Sequence, residues 1–72
     1  MYAEVLPNSP RIQTTFYYEI PDELADCLQV GHLVVVPFGR RRVQGIVMAM
    51  DESHPLGDVD MKSIETLVDH QP

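Results

Sequence analysis

The sequence predicts a mainly β fold: one small, bent sheet or half-open barrel with at most one short helix. Three observations support this fold class. Short runs of β-branched and aromatic residues alternate with proline, glycine and asparagine turn signals. Only one stretch, PDELADCL, carries helix signals. The chain has 72 residues, which is enough for a single domain (residues 1–72) with a thin core.

The first two strands are predicted near the N-terminus. Residues 2–6 (YAEVL) form the first strand and end at a Pro-Asn-Ser-Pro turn signal. Residues 14–20 (TTFYYEI) form the second, because β-branched and aromatic residues favour strands. Side chains alternate between the faces of a strand, so Tyr17 points away from its two aromatic neighbours. We expect two of the three aromatic residues in the core, including Tyr18 together with Ile20.

A short helix and a buried strand are predicted next. Residues 21–28 (PDELADCL) combine a proline at a helix start, acids in the first turn and an apolar i,i+4 pair. These features predict one or two helical turns. Residues 33–36 (LVVV) are continuously apolar, which predicts a central strand covered on both faces. Pro37 has no N–H to donate and is expected to end that strand.

A connection, a long strand and a final extended segment complete the prediction. Residues 38–42 (FGRRR) form the connection, and residues 43–50 (VQGIVMAM) form the long strand. Gly45 inside this strand indicates a bulge or a close approach of two backbones. One face of the strand is predicted to carry Ile46, Met48 and Met50. Residues 61–68 (MKSIETLV) are predicted to be a last strand in preference to a short helix.

Charge is distributed unevenly along the chain. The formal net charge is −6 and the pI is about 4.7, which argues against a general nucleic-acid binder. Yet three of the five basic residues are consecutive: Arg40, Arg41 and Arg42. Two kinds of partner are consistent with this cluster, carboxylates of the acidic loop at residues 51–60 or phosphates. The sequence leaves that choice open.

The sequence offers little support for catalytic, metal or membrane functions. Cys27 is the only cysteine, and the three histidines lack metal-ligand spacing. The stretch GDVDMKS lacks the second glycine of a phosphate-binding loop, and no serine lies in a nucleophile-elbow context. No apolar run reaches membrane-spanning length, and the N-terminus has no secretion signal. We therefore expect a soluble, cytoplasmic chain that is no enzyme and holds no cofactor.

The order of the motifs resembles that of a known family. An aromatic strand ending in proline (TFYYEIPDEL) precedes a glycine and a valine-rich strand. Val36-Pro37-Phe38-Gly39, a basic loop, Gly45-Ile46-Val47 and finally MKSIETLVD follow. This ordered set covers essentially the whole chain. It resembles the N-terminal domain of the bacterial primosomal replication-restart helicases, the PriA (primosomal protein N′) family.

The resemblance implies a domain that binds the 3′ end of the nascent leading strand at a stalled fork, independently of base sequence. In the family a shallow pocket holds the terminal nucleotide and checks for a free 3′-OH. Tyr17 departs from the family pattern, because many members carry an acidic residue there. The three arginines are candidate phosphate contacts at the lip of this pocket. Carried over position by position, the pocket residues are Phe16, Tyr17, Tyr18, Gly39 and Lys62.

The resemblance also implies partners and parts outside this chain. The chain is expected to be the N-terminal fragment of a larger helicase, whose other domains carry the family's ATP and zinc sites. Expected partners are a DNA fork with a 3′-OH end, single-stranded DNA, those helicase domains, other primosome proteins and single-stranded DNA-binding protein. A rival interpretation, which the acidic charge favours, is an SH3-like protein-interaction or interdomain docking module without DNA binding.

Overall fold

Strand-forming segments dominate the structure, a computed structural model that describes residues 1–52 and 61–68. Most of the predicted acidic loop at residues 51–60 lies outside the described residues. No helix in the described ranges is long and apolar enough to cross a membrane. In chain order, the elements of these ranges are β1 (Tyr2–Pro7), β2 (Phe16–Glu19), α1 (Asp22–Ala25), β3 (Leu33–Phe38), β4 (Arg41–Asp51) and β5 (Thr66–Leu67).

The strands form one antiparallel sheet in the order β2-β1-β4-β3-β5, which is bent but not closed into a barrel. A short segment joins its two sides. The Glu19 N–H on β2 donates to the Lys62 carbonyl (2.9 Å), and the Ile64 N–H donates back to the Glu19 carbonyl (3.0 Å). The Glu65 N–H donates to the Val35 carbonyl on β3 (2.8 Å). This confirms the predicted bent sheet. Within residues 61–68, which were predicted as a strand, only Thr66–Leu67 form one, and Ser63 adds an isolated bridge to Glu19.

The core lies on the concave side of the sheet, under α1 and the segment at 61–68. Tyr18 and Ile20 are buried there, as predicted. His32 is also buried; its Nδ1 accepts a hydrogen bond from the Gln29 N–H, and its Nε2 has no partner among the described residues. The buried apolar residues are Ala3, Val5, Tyr18, Ile20, Leu28, Val34, Val36, Val47, Ile64 and Leu67.

The prediction that β3 is covered on both faces is wrong. Val34 and Val36 are fully buried, whereas Leu33 and Val35 on the opposite face are half-buried. The sheet is a single layer, so only its concave face is covered by other described residues. The continuous apolar run therefore reflects one fully buried face and one partly buried face.

Pro37 does not end β3, as the sequence predicted, but pairs with Arg42 inside the strand. The reason is the direction of its backbone polar atoms. The Pro37 carbonyl accepts a hydrogen bond from the Tyr18 hydroxyl (2.8 Å), so this carbonyl points away from β4. Successive residues of an antiparallel pair alternate between hydrogen-bonded and non-hydrogen-bonded positions. Pro37 occupies a position of the second kind, where its missing N–H removes no bond to β4.

A bulge in β4 corrects the predicted assignment of its faces. Glu4 pairs with Ala49 and Val5 pairs with Val47, which leaves Met48 as an extra residue. Beyond it the alternation changes, so Met50 packs against the core instead of sharing the outer face with Ile46 and Met48.

Gly45 lies outside this bulge, at the close backbone approach that was the other prediction for it. A Cβ at Gly45 would lie 2.6 Å from Val5 Cγ1 and 3.0 Å from the Leu6 carbonyl oxygen. The neighbouring strand β1 therefore leaves no room for a side chain at this position.

Candidate nucleic-acid interface

Phe16 lies near one end of the sheet, where β2 faces the β3–β4 hairpin. Its ring packs edge-to-face on Phe38, with ring centroids 5.2 Å apart and an interplanar angle of 75°. The Phe16 residue remains 37% exposed to solvent. A ring that is held by a second aromatic ring and is still partly exposed can offer one face to a ligand.

Tyr18 fastens this part of β2 to the hairpin. Its ring is 5% exposed, and its hydroxyl donates to the Pro37 carbonyl across 19 residues of sequence. Burial raises the pKa of this hydroxyl above its usual value. Tyr18 therefore acts from within the core, where it positions Phe16 and the hairpin.

Gly39 is the first residue of the two-residue turn between β3 and β4, since Phe38 pairs with Arg41. Its φ is +62°, whereas Arg40 does not have a positive φ. This combination is the pattern of a type II′ hairpin turn, which favours glycine at the first position. A Cβ at Gly39 would meet nothing within 4 Å, so the space beside the residue is open. The turn thus exposes bare backbone.

Lys62, the only lysine of the chain, reaches this turn. Its Nζ donates to the Gly39 carbonyl at 3.4 Å, a long hydrogen bond, and its side chain is exposed. Its backbone is fixed because the Lys62 carbonyl accepts from the Glu19 N–H. We call Phe16, Phe38, Gly39 and Lys62 the Phe16 cluster. A stronger acceptor, such as a phosphate oxygen, can replace the long contact at low cost.

Tyr17 lies outside the Phe16 cluster, on the opposite face of β2. It pairs with Glu4 on β1 and lines a small cavity of about 110 Å³ with Glu4 and Asp51. Its pKa is raised, first by the negative charge of Glu4 and less by desolvation, a hydrogen bond to Glu4 and the charge of Asp51. The structure therefore brings Phe16, Tyr18, Gly39 and Lys62 together but places the Tyr17 ring among carboxylates. Only Tyr18, not two of the three aromatic residues, is buried in the core.

The three arginines line an open groove of about 430 Å³ beside the turn, which we call the hairpin groove. Arg42 Nε contacts Glu65 Oε1 at 2.8 Å and Oε2 at 3.1 Å. Within residues 1–52 and 61–68, Arg40 and Arg41 take part in no ion pair. The carboxylate found for Arg42 thus comes from the segment after the acidic loop. The hairpin groove is lined by Pro37, Gly39, Arg40, Arg41, Arg42 and Glu65.

Sequence reasoning missed Phe38 and Glu65. Phe38 shares the alternation of Val34 and Val36, so extending β3 through Pro37 would have placed its ring on the concave side. Glu65 carries no such signal. It lies 23 residues from Arg42, and only the folded sheet brings the two together.

Comparison with known proteins assigns the chain to a family. A family model described as the 3′ DNA-binding domain (3′BD) matches residues 4–72. Replication restart protein PriA of Bacillus subtilis (strain 168) is 38% identical over an alignment 73 residues long, which covers 99% of this chain. The chain spans 9% of the length of that relative. The family match includes every residue of the Phe16 cluster and the hairpin groove. The chain belongs to the PriA 3′ DNA-binding domain family.

Proposed function

We propose that this domain binds the 3′ end of a DNA strand without regard to base sequence, as the targeting module of a replication-restart helicase at stalled forks. The observation that carries the proposal is the Phe16 cluster. There an exposed ring, a bare turn backbone and the chain's only lysine converge at one end of the sheet. Catalysis is assigned to other domains of the longer protein, which we propose as partners together with further primosome proteins.

Each part of the Phe16 cluster suits one part of a terminal nucleotide. Every base has a π-face, so stacking on Phe16 is sequence-tolerant and contributes about 1–3 kcal/mol. The Gly39 carbonyl can accept a hydrogen bond from a free 3′-OH, whereas it repels the oxygens of a 3′-phosphate. Lys62 Nζ can donate to a sugar or phosphate oxygen. Together these groups can hold a terminal nucleotide, and the preference for a free 3′-OH end rests on the Gly39 carbonyl.

The overall charge limits the strength of binding. At −6, the chain repels nucleic acid over most of its surface. Four of the five Lys and Arg residues lie in the Phe16 cluster and the hairpin groove, which concentrates positive charge there. We therefore expect weak binding to one strand end, with an affinity that falls as salt is added.

The proposal is tested by fluorescence anisotropy at low salt on two labelled single strands that differ only at the 3′ end. We expect tighter binding to the strand with a 3′-OH than to the strand with a 3′-phosphate. A labelled strand with the 3′ end inside a hairpin duplex is the control for end access. Equal affinity for both ends, or no binding to either, would remove the support for an end-recognising pocket.

Protein docking is a second candidate function, supported by the outer face of the sheet. Ile46 pairs with Leu6 on one side and with Leu33 on the other, which makes an apolar row across three strands. Ile46 is 37% exposed and the neighbouring Met48 is 48% exposed. This face is separate from the Phe16 cluster, so docking and DNA binding are compatible. The two functions can be separated with an Ile46→Lys variant, which places a charge on the outer face. DNA affinity equal to that of the wild type would show that this face takes no part in DNA binding.

A further inference from the structure

We propose that the hairpin groove binds the phosphodiester on the 5′ side of the terminal nucleotide, and that Glu65 weakens this binding by competing for Arg42. The proposal deepens the proposed function and rests on it, since the Phe16 cluster supplies the terminal nucleotide. It assigns Glu65 as a residue that limits affinity. The ligand of the groove is a phosphate diester and not a base.

The geometry joins the two sites at the turn. Gly39 contributes its carbonyl to Lys62 and also lines the hairpin groove together with Pro37. The Phe16 ring packs on Phe38, the residue that precedes the same turn. A strand whose last base stacks on Phe16 and continues past the turn therefore brings its next phosphate to the groove. At about 430 Å³, the groove has room for a phosphate and its attached sugar.

The charges of the groove suit an anion. Arg40 and Arg41 are exposed, and no other residue of the described ranges neutralises them. Arg42 is 74% exposed in its side chain. Within the described part of the chain, only its Nε–H is used in contacts. Its terminal N–H groups remain available, in the planar arrangement that binds phosphate in a bidentate way.

Glu65 occupies the position of a competing anion. Both of its carboxylate oxygens lie within 3.1 Å of Arg42 Nε, so a negative charge already lies against the guanidinium. The Glu65 side chain is 32% exposed, so it is less hydrated than a fully exposed carboxylate. Its N–H is also bonded to the Val35 carbonyl on β3. A phosphate that approaches Arg42 must therefore displace Glu65 or bind beside its negative charge.

Glu65→Gln tests the competition, with Glu23→Gln as the matched control. Glu23 lies on α1 and is exposed, and its substitution changes the net charge by the same amount. The probes are thymidine, which has no phosphate, the dinucleoside monophosphate TpT, and an eight-residue thymidine strand with a free 3′-OH. For the two probes with phosphate we expect Glu65→Gln to raise the affinity about two- to fivefold, the effect of one exposed ion pair. Thymidine binding and the Glu23→Gln variant should show no such gain.

Arg40→Gln/Arg41→Gln tests the groove itself and covers the case in which Glu65→Gln perturbs folding. We expect this variant to lose most of the gain in affinity from thymidine to TpT. For the eight-residue strand, the slope of log affinity against log salt should become shallower by about 0.7, the value for one phosphate on a single strand. Circular dichroism melting checks that the variant is folded.

The outcomes separate this inference from the proposed function. If the 3′-OH preference holds but Glu65→Gln and the arginine variant leave TpT binding unchanged, the groove assignment is wrong and the proposed function stands. If the 3′-OH preference is absent while the arginine variant still lowers strand binding, the groove binds phosphate and the end-recognition proposal is wrong. Failure of the wild-type chain to bind any of the three probes overturns both.

Discussion

The two faces of β2 show how neighbouring aromatic residues acquire different roles. Phe16 and Tyr18 point to the concave side, where they meet the β3–β4 hairpin. Tyr17, between them, points outward to Glu4 and Asp51. The residue types are similar, but the surroundings differ. What a side chain can bind here depends on the face of the strand and on the element opposite, and not on its being aromatic.

Of the substitutions that test this difference between the two faces, Tyr18→Ala should have the largest effect, a loss in the free energy of unfolding. Removing a buried aromatic ring costs about 3–5 kcal/mol, and Tyr18 is 5% exposed. Tyr17→Ala is the matched control on the outer face and should cost less than about 1 kcal/mol. Urea denaturation measures both. Equal losses in the two variants would contradict the assignment of the two faces.

Tyr18→Phe refines the same test, because it keeps the ring and removes only the hydroxyl. The Pro37 carbonyl then loses its bond from Tyr18, and we expect a loss of about 1 kcal/mol in the free energy of unfolding. A variant as stable as the wild type would show that the hydroxyl does not fasten β2 to the hairpin.

Phe16→Ala should have the next largest effect, and mainly on DNA binding. We expect the binding free energy to fall by about 1–3 kcal/mol, the contribution of one base stacked on an aromatic ring. Because Phe16 is 37% exposed, the domain should stay folded. Anisotropy and thermal melting check the two properties on the same sample. If Tyr17→Ala weakens binding more than Phe16→Ala does, the ligand lies on the other face.

Lys62→Gln should reduce DNA affinity by a smaller factor, about two- to fivefold at low salt, because the lysine is exposed. The salt dependence should also become shallower. The backbone bond between Lys62 and Glu19 does not involve the side chain, so stability should change little. An unchanged affinity across the salt range would exclude Lys62 from the site.

The smallest expected effect is the pH dependence of stability that comes from Tyr17 on the outer face of β2. The pKa of Tyr17 is raised from 10.0, chiefly by Glu4, so the folded state favours the neutral phenol. The stability linked to this group is fully present below about pH 10 and is lost as the pH rises through the higher folded-state pKa. Glu4→Gln should bring the pKa of Tyr17 down toward its usual value, as measured by phenolate absorbance. A Tyr17 titration that Glu4→Gln does not move would show that the two side chains do not interact.

Local patterns predicted the strands, the short helix and the burial of Tyr18 with Ile20, because alternation and turn chemistry act over a few residues. They did not predict the bulge at Met48, since both registers of β4 offer apolar residues to the core. The sequence also gave no indication that Glu65 would pair with Arg42. That pairing depends on the bend that carries residues 61–68 from β2 to β3.

The residues of the candidate site were likewise predicted only in part. Motif order selected Phe16, Gly39 and Lys62, and the fold brings these three residues together. The same motif order included Tyr17, but the alternation of β2 places its ring on the outer face. Strand alternation thus separates residues that adjacency in a motif groups together.

The most direct test is to observe the aromatic ring protons by NMR while a short thymidine strand with a free 3′-OH is added. Ring currents of a stacked base shift the signals of the ring that it contacts. We predict shifts at the rings of Phe16 and Phe38, none at the ring of Tyr17, and a weaker response to the strand with a 3′-phosphate. Shifts at the Tyr17 ring with unchanged Phe16 and Phe38 signals would contradict the central claim that the concave face of β2 holds the strand end.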